Sequence, residues 1–323
     1  MPRLLAFLIL STAVHAQIWP DPWHGSARTS TSVPAAADPM LWAEYGGQVS
    51  EKAVYNGPVG RFSATAWRLD DSTAALAWYQ AIRPPNCASS SLTACSTPGA
   101  QFVLHQNYLL MFEGWRPLPA ELAELYPQLP RLRSGGGLPL LPSYLPEGSR
   151  VRNSERYILG PHSLQSFLPA VPAAVAGLED GAEAQAASYS SPAGPTTLAV
   201  FYFLTPQLAI RKAREFEKLP GLAVKRTGAV VVLASTTPSA AFAQNLLKGI
   251  DSKSEFVWNT PGKLPEMPNV AGMLIAIAEL TGLLLVLCIA GGVVFAFFRA
   301  LFRNRRIRLE GSDSPFTFLH VPD

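Results

Sequence analysis

Residues 281–298 read TGLLLVLCIAGGVVFAFF, a run without a single charge. Apolar residues continue upstream to Ala271, with Glu279 the only acidic interruption. Leu, Ile, Val and Phe each favour insertion into a bilayer by roughly 0.3–0.6 kcal/mol. Eleven of them in this run sum to about −5 kcal/mol, against at most ~3 kcal/mol for an acidic residue at the bilayer centre. Glu279 sits toward the outer edge, where that penalty is smaller. Segment 270–298 is therefore expected to cross a membrane as one helix. Five arginines follow at once: Arg299, Arg303, Arg305, Arg306 and Arg308. A buried globular helix has no reason to end this way, whereas a membrane span ending on its cytoplasmic side does. The basic tail 299–323 is read as cytoplasmic.

The other end of the chain agrees. Arg3 followed by the apolar run from Leu4 to Val14, with Ala16 at a cleavage position, reads as a signal peptide over 1–16. That run is too short to cross about 30 Å of hydrocarbon as a helix. The intervening residues are thus expected outside the cytoplasm, at the periplasmic or cell-surface face. Cys87 and Cys95, in the polar loop NCASSSLTAC, fit that address as a disulfide, since exported compartments are oxidising. No His or Cys pair flanks them to complete a metal site. Cys288 lies in the membrane run and reads as a small packing residue.

With 323 residues there is room for about two domains, on a prior of ~100–200 residues each. Apolar residues make up 48% and suffice for a core. Charged residues, 15%, fall below the ~25% of soluble domains, as expected of a chain with membrane segments and weakly polar loops. The net charge of +3 is small and concentrated after the membrane run, which argues against a nucleic-acid partner.

Between the ends the expected order of parts is an irregular extension (17–39), a first α+β lobe (40–130), a Gly/Pro-rich linker (131–153) containing Gly135-Gly136-Gly137, a second α+β lobe (154–251) and a stalk (252–269). In the first lobe, alternation predicts strands over 46–55 and 60–69 around Asn56-Gly57-Pro58, a helix over 71–82, strand structure over 102–113 about Gln106-Asn107, and a helix over 119–126. The second lobe repeats that order: strands 182–189 and 196–203, helix 205–219 capped by Thr205, a hairpin about Thr227-Gly228, and helix 240–249. Strand pair, helix, strand pair, helix appears twice. The expected fold class is α+β, two similar lobes plus one C-terminal transmembrane helix, with internal duplication the preferred account of the lobes and two unrelated α+β lobes the alternative.

The segment Ser154-Glu155-Arg156-Tyr157-Ile158-Leu159-Gly160-Pro161 resembles an SERYxLGP-like motif of an uncharacterised bacterial family, a domain of unknown function, whose members are exported and membrane-anchored at the C-terminus. The resemblance implies this order of parts and a turn at Gly160-Pro161. It carries no catalytic residues.

Recognisable chemistry is sparse. His15, His24, His105, His162 and His320 are scattered, without metal-binding spacing. Pro161-His162-Ser163 sets His beside Ser, yet neighbours along a chain rarely face one another, and Ser163 reads as a cap for a helix over 164–168. Asp70-Asp71 begins a helix, where carboxylates are favoured anyway. Glu179, Asp180 and Glu183 form a small acidic group that reads as a solvated loop. Arg211, Lys212 and Arg214 share a helix with Glu215 and Glu217, which reads as an ordinary solvated face. Gly135-Gly136-Gly137 lacks the phosphate-loop pattern.

No cofactor or metal is expected, and the catalytic residues and the ligand are not readable. The expected partners are the lipid bilayer and a second copy, or another membrane protein, along Cys288, Gly292, Ala296 and Ala300, a small-residue stripe that lets helices approach closely. The function expected is a membrane-tethered extracytoplasmic binding, sensing or interaction module. The alternative is a cell-envelope enzyme, a hydrolase for instance, with its site between the two lobes.

Overall fold

Proline and glycine decide where the strands of this chain turn. Pro58-Val59 joins β2 (Val49–Gly57) to β3 (Gly60–Arg68), and Pro192-Ala193 joins β9 (Glu183–Ser191) to β10 (Gly194–Tyr202). Gly60 and Gly194, the first residues after those turns, have φ of 91° and 127°, values that exclude most side chains. All four strands are nine residues long. The computed structural model describes residues 17–133, 137–259 and 270–307; side chains are not described at 90, 251–259, 270–277 and 300–307. The expected signal peptide, most of the Gly-rich break and the tail from Arg308 lie outside the described residues.

The correspondence extends through both halves. Helix α2 (Ser72–Ile82) follows β3, and α6 (Pro206–Phe216) follows β10; each has eleven residues. Asp71 caps the first by accepting from the Ala74 N–H at 2.8 Å, Thr205 the second by accepting from Leu208 at 3.2 Å. A second hairpin follows each helix: β6 (Ala100–His105) with β7 (Tyr108–Glu113), and β11 (Leu222–Thr227) with β12 (Val230–Ser235). The registers match as well. Ala64 faces Phe112 and Trp67 faces Leu109, as Leu198 faces Ala234 and Phe201 faces Val231.

Both halves also begin with an edge strand, β1 (Ala27–Ser32) or β8 (Arg156–Ile158), giving the orders β1-β2-β3-β7-β6 and β8-β9-β10-β12-β11. The first sheet is longer by β4 (Ala88–Ser91) and β5 (Ala94–Ser96). They lie in the segment 83–99, where the second half has only 217–221. The duplication expected from the sequence is thus a structural repeat, with one inserted hairpin that carries the Cys87–Cys95 disulfide.

The two repeats stack rather than stand apart. One core fills the space between the sheets: Trp67, Phe102, Leu104 and Leu109 from the first, Tyr189, Leu198, Val200 and Val232 from the second. Between them lie α2 and α7 (Ala240–Asn259), the latter through Ala243, Leu246, Leu247 and Ile250. Helix α2 is buried on nearly every side, and its sequence STAALAWYQAI has no charge. Helix α6, on the outer face of the second sheet, buries only Leu208, Ala209, Ala213 and Phe216. It shares that outer core with α4 (Pro161–Phe167) and α5 (Ala173–Ala176). The outer face of the first sheet is covered by α3 (Pro119–Leu125) and by Ile18, Trp19 and Trp23.

Three expected boundaries change as a result. Segment 17–39 is not irregular throughout: it supplies β1, the short α1 (Pro39–Glu44) begins within it, and Trp19 and Trp23 are core residues. Segment 131–153 does not simply connect, because Leu141 and Leu145 enter the shared core. Helix α7 continues past Gly249 to Asn259, through the start of the expected stalk. The chain divides between Val257 and Trp258, and both repeats belong to the first unit. The second unit contains α8 (Val270–Ile307), within which 278–299 has a mean hydropathy of 2.5 and no buried residue.

Candidate functional site

The segment 153–163 is where the repeats are joined, and nearly every polar atom in it is engaged. Asn153, buried with φ of 58°, donates through Nδ2 to the carbonyls of Pro85 (3.0 Å) and Cys87 (2.7 Å) and accepts at Oδ1 from Ser89 (3.1 Å). One side chain thereby anchors the disulfide hairpin to the second repeat. Glu155 takes Arg83 on Oε2 and Arg150 on Oε1, the latter at 3.1 Å. Tyr157 is fully buried; its carbonyl accepts the Tyr45 hydroxyl at 2.6 Å, and its own hydroxyl donates to Glu183 at 2.5 Å. Burial first, and the Glu183 carboxylate second, push the Tyr157 hydroxyl far above its ordinary pKa.

Beyond it, Glu44 of α1 caps the start of α4. Its carboxylate accepts from the backbone N–H of His162 at 2.6 Å and of Ser163 at 2.9 Å. A Cβ at Gly160 would meet the Glu44 carboxyl group, so a side chain there would have to displace this cap. A motif singled out by resemblance is therefore a structural seam. The sequence showed the motif but not its partners, which lie as far away as Glu44 and Arg83.

The residues weighed for catalysis do not converge. His162 Nε2 lies 2.8 Å from Asp38 Oδ2. The Leu41 N–H, and then the His162 ring, hold the Asp38 carboxyl below its ordinary pKa. Ser163 is buried, and its Oγ accepts from the N–H groups of Leu159 (3.1 Å) and Gly160 (3.2 Å) and donates to the Gly160 carbonyl. It caps α4 from inside its first turn, not a helix beginning after it, and does not bond to His162. His105 stacks on Tyr126 with centroids 3.5 Å apart, and burial lowers its pKa. His24 pairs with Glu121 at 3.1 Å. Asp70 accepts from Gln48 at 2.6 Å. Glu179 and Asp180 sit in a one-turn helix, while Glu183 turns inward to Tyr157. Among the described residues no cluster of His, Cys, Asp and Glu is arranged to hold a metal ion.

A shallow hollow of about 250 Å³ opens beside the seam, on the outer face of the second sheet. Ala186, Ser188 and Thr197 form its floor, and Ser154, Arg156, Ser166 and Phe167 surround it. Its floor side chains are small. Nothing in the sequence marked it, since its residues come from β8, α4, β9 and β10 and from the loop before β8.

The disulfide expected from the loop is present between Cys87 and Cys95, whose Cα atoms are 5.5 Å apart. On α8, Cys288, Gly292, Ala296 and Arg299 are all exposed. Arg303, Arg305 and Arg306 continue the same helix, and Arg308 lies outside the described residues.

No family model, curated protein or solved structure matches the chain. What can be said of its function rests on the residues themselves.

Proposed function

We propose that the chain is a membrane-tethered binding module, with its stacked repeats on the extracytoplasmic side and its C-terminal tail in the cytoplasm. The observation that carries this reading is α8. Over 278–299 it is apolar, longer than the ~20 residues needed to cross a bilayer, and wholly exposed. Water does not tolerate such a surface on a stable protein, so lipid is its natural solvent. The arginines that follow support the assigned side, as does a disulfide in the repeat unit. The exported, anchored family resembled at 154–161 has the same order of parts.

Binding is favoured over hydrolysis because a shared core occupies the space between the repeats and the residues weighed for catalysis are held by separate partners. The α8 face bearing Cys288, Gly292 and Ala296 is the proposed contact for a partner helix. The test is sidedness in intact spheroplasts. External protease should remove the repeats and leave a small membrane-retained fragment, and alkaline carbonate should not extract that fragment. Release of the full chain by carbonate would refute the tether, and protection of the repeats from external protease would refute the orientation.

A further inference from the structure

Three guanidinium groups gather at the seam around one carboxylate. Glu155 gives one oxygen to Arg83 and the other to Arg150. Arg156, the next residue, has no carboxylate within ion-pair distance among the described residues. Its Nη1 donates to the carbonyls of Asn153 (2.9 Å) and Glu155 (2.7 Å), and its guanidinium lies over the Phe167 ring at 5.7 Å. Burial, and then the charge of Arg83, push its pKa down. The nearby Glu155 charge acts on it, but both oxygens of that carboxylate are already taken by Arg83 and Arg150, so a half-buried cation is left incompletely balanced, whereas charges withdrawn from water are ordinarily paired. The group bordering this defect is the hollow described above. Its rim and floor bring the hydroxyls of Ser154, Ser166, Ser188 and Thr197 around Arg156, with no acidic side chain among them.

We propose that this hollow binds a phosphate-type oxyanion, with Arg156 as its counter-charge and the hydroxyls of Ser166, Ser188 and Thr197 as further donors, the Ser154 hydroxyl being already given to the Val151 carbonyl at 2.7 Å. The proposal deepens the binding-module reading and rests on it. A planar guanidinium matches phosphate geometry through paired N–H donors. Hydroxyl donors on several sides suit an acceptor with oxygens in several directions, which a flat carboxylate lacks. The volume of about 250 Å³ leaves room for a phosphate group with a small substituent. The phosphate could be free in solution or belong to a lipid headgroup, and the two sources are separable by experiment.

The full chain is placed in nanodiscs of phosphatidylcholine or of phosphatidylglycerol, and thermal unfolding of the repeats is followed with and without inorganic phosphate. Phosphate at ten times its Kd should raise the midpoint by roughly 3–6 °C in phosphatidylcholine. The rise should vanish in Arg156→Gln and in Ser166→Glu. The second variant places a carboxylate at an exposed position on the rim, so folding is spared while the charge is satisfied internally. A midpoint already raised in phosphatidylglycerol, insensitive to added phosphate and lowered by both variants, would support the site with a headgroup as the source. Equal rises in the parent and both variants would overturn the proposal, as would midpoints indifferent to phosphate and to lipid. Failure of the chain to enter nanodiscs would count against the tether alone, because the phosphate titration can then be run on the chain in water.

Discussion

Tyr55 and Tyr189 occupy the same place in the two repeats, and each donates its hydroxyl to a proline carbonyl of the segment that precedes its own sheet. Tyr55 bonds to Pro20 at 2.6 Å and Tyr189 to Pro146 at 2.9 Å, and both side chains are fully buried. The preceding segments are those that carry Trp19 and Trp23 in one repeat and Leu141 and Leu145 in the other. Each tyrosine therefore ties an arm of irregular backbone to a sheet.

Alkaline unfolding follows from that burial. Burial is the main cause that raises the pKa of Tyr45, Tyr55, Tyr157 and Tyr189 well above 10. In the unfolded chain these groups ionise near pH 10, while in the fold they stay protonated. The unfolded state then holds fewer protons, so stability is fully present below about pH 10 and falls as pH rises beyond it. Phenolate absorbance should rise in one cooperative step that coincides with loss of the fold. Tyr55→Phe and Tyr189→Phe should each cost about 1–3 kcal/mol, because a buried carbonyl loses its donor, and chemical denaturation measures this. Independent ionisation of these tyrosines in the intact fold would contradict the assignment.

The repeat was legible because Pro58 and Pro192 punctuate strands of equal length and Asp71 and Thr205 cap helices of equal length. Its stacking was not read, although α2 announced it by having no charged residue. A helix that lacks a polar face needs cover on both sides. Strand β1, ARTSTS, escaped notice because it is an edge strand exposed along most of its length, held by backbone pairing instead of an apolar face. Short β8 was hidden within the motif because its three residues are too few to show an alternation, although Tyr157 and Ile158 are buried. The hollow at Arg156 was unreadable in principle, since its walls are brought together only by tertiary packing.

Glu155 should be the most sensitive side chain of the seam. Arg83 is only 7% exposed, and Glu155 is its carboxylate partner. Truncation of one member of a buried pair leaves a stranded charge, at a cost of about 3–5 kcal/mol. Glu155→Ala should therefore destabilise the repeats several-fold more than Asp71→Ala, which removes a helix cap worth about 1 kcal/mol. Urea midpoints for the two variants decide this. Equal losses would mean that the Arg83 charge finds water without Glu155.

Reduction of the Cys87–Cys95 disulfide should weaken the protein without dissolving the fold. The bridge closes a loop with a sequence separation of 8, for which chain entropy gives on the order of 2–3 kcal/mol. The hairpin it closes is an insertion that the second repeat lacks, so the common five-strand pattern does not depend on it. Thiol alkylation before and after reduction should find both cysteines protected in exported protein. Thermal scans with reductant should give a lower midpoint but a single cooperative transition. Free thiols in the untreated protein would contradict the bridge.

The proposed membrane contact is tested at Gly292. Cys288, Gly292 and Ala296 recur every fourth residue on α8 and lie along one side of the helix. Close helix approach depends on the absence of bulk along such a stripe, because the attraction between the two helices is van der Waals in origin and therefore short-ranged. Gly292→Leu adds an isobutyl group at its centre while it raises the apolarity of the span, so insertion is preserved and only approach is blocked. In a membrane reporter of self-association the variant should lose most of the signal, whereas Val293→Leu, one position around the helix, should keep it. Loss in both variants, or in neither, would move the contact off this face.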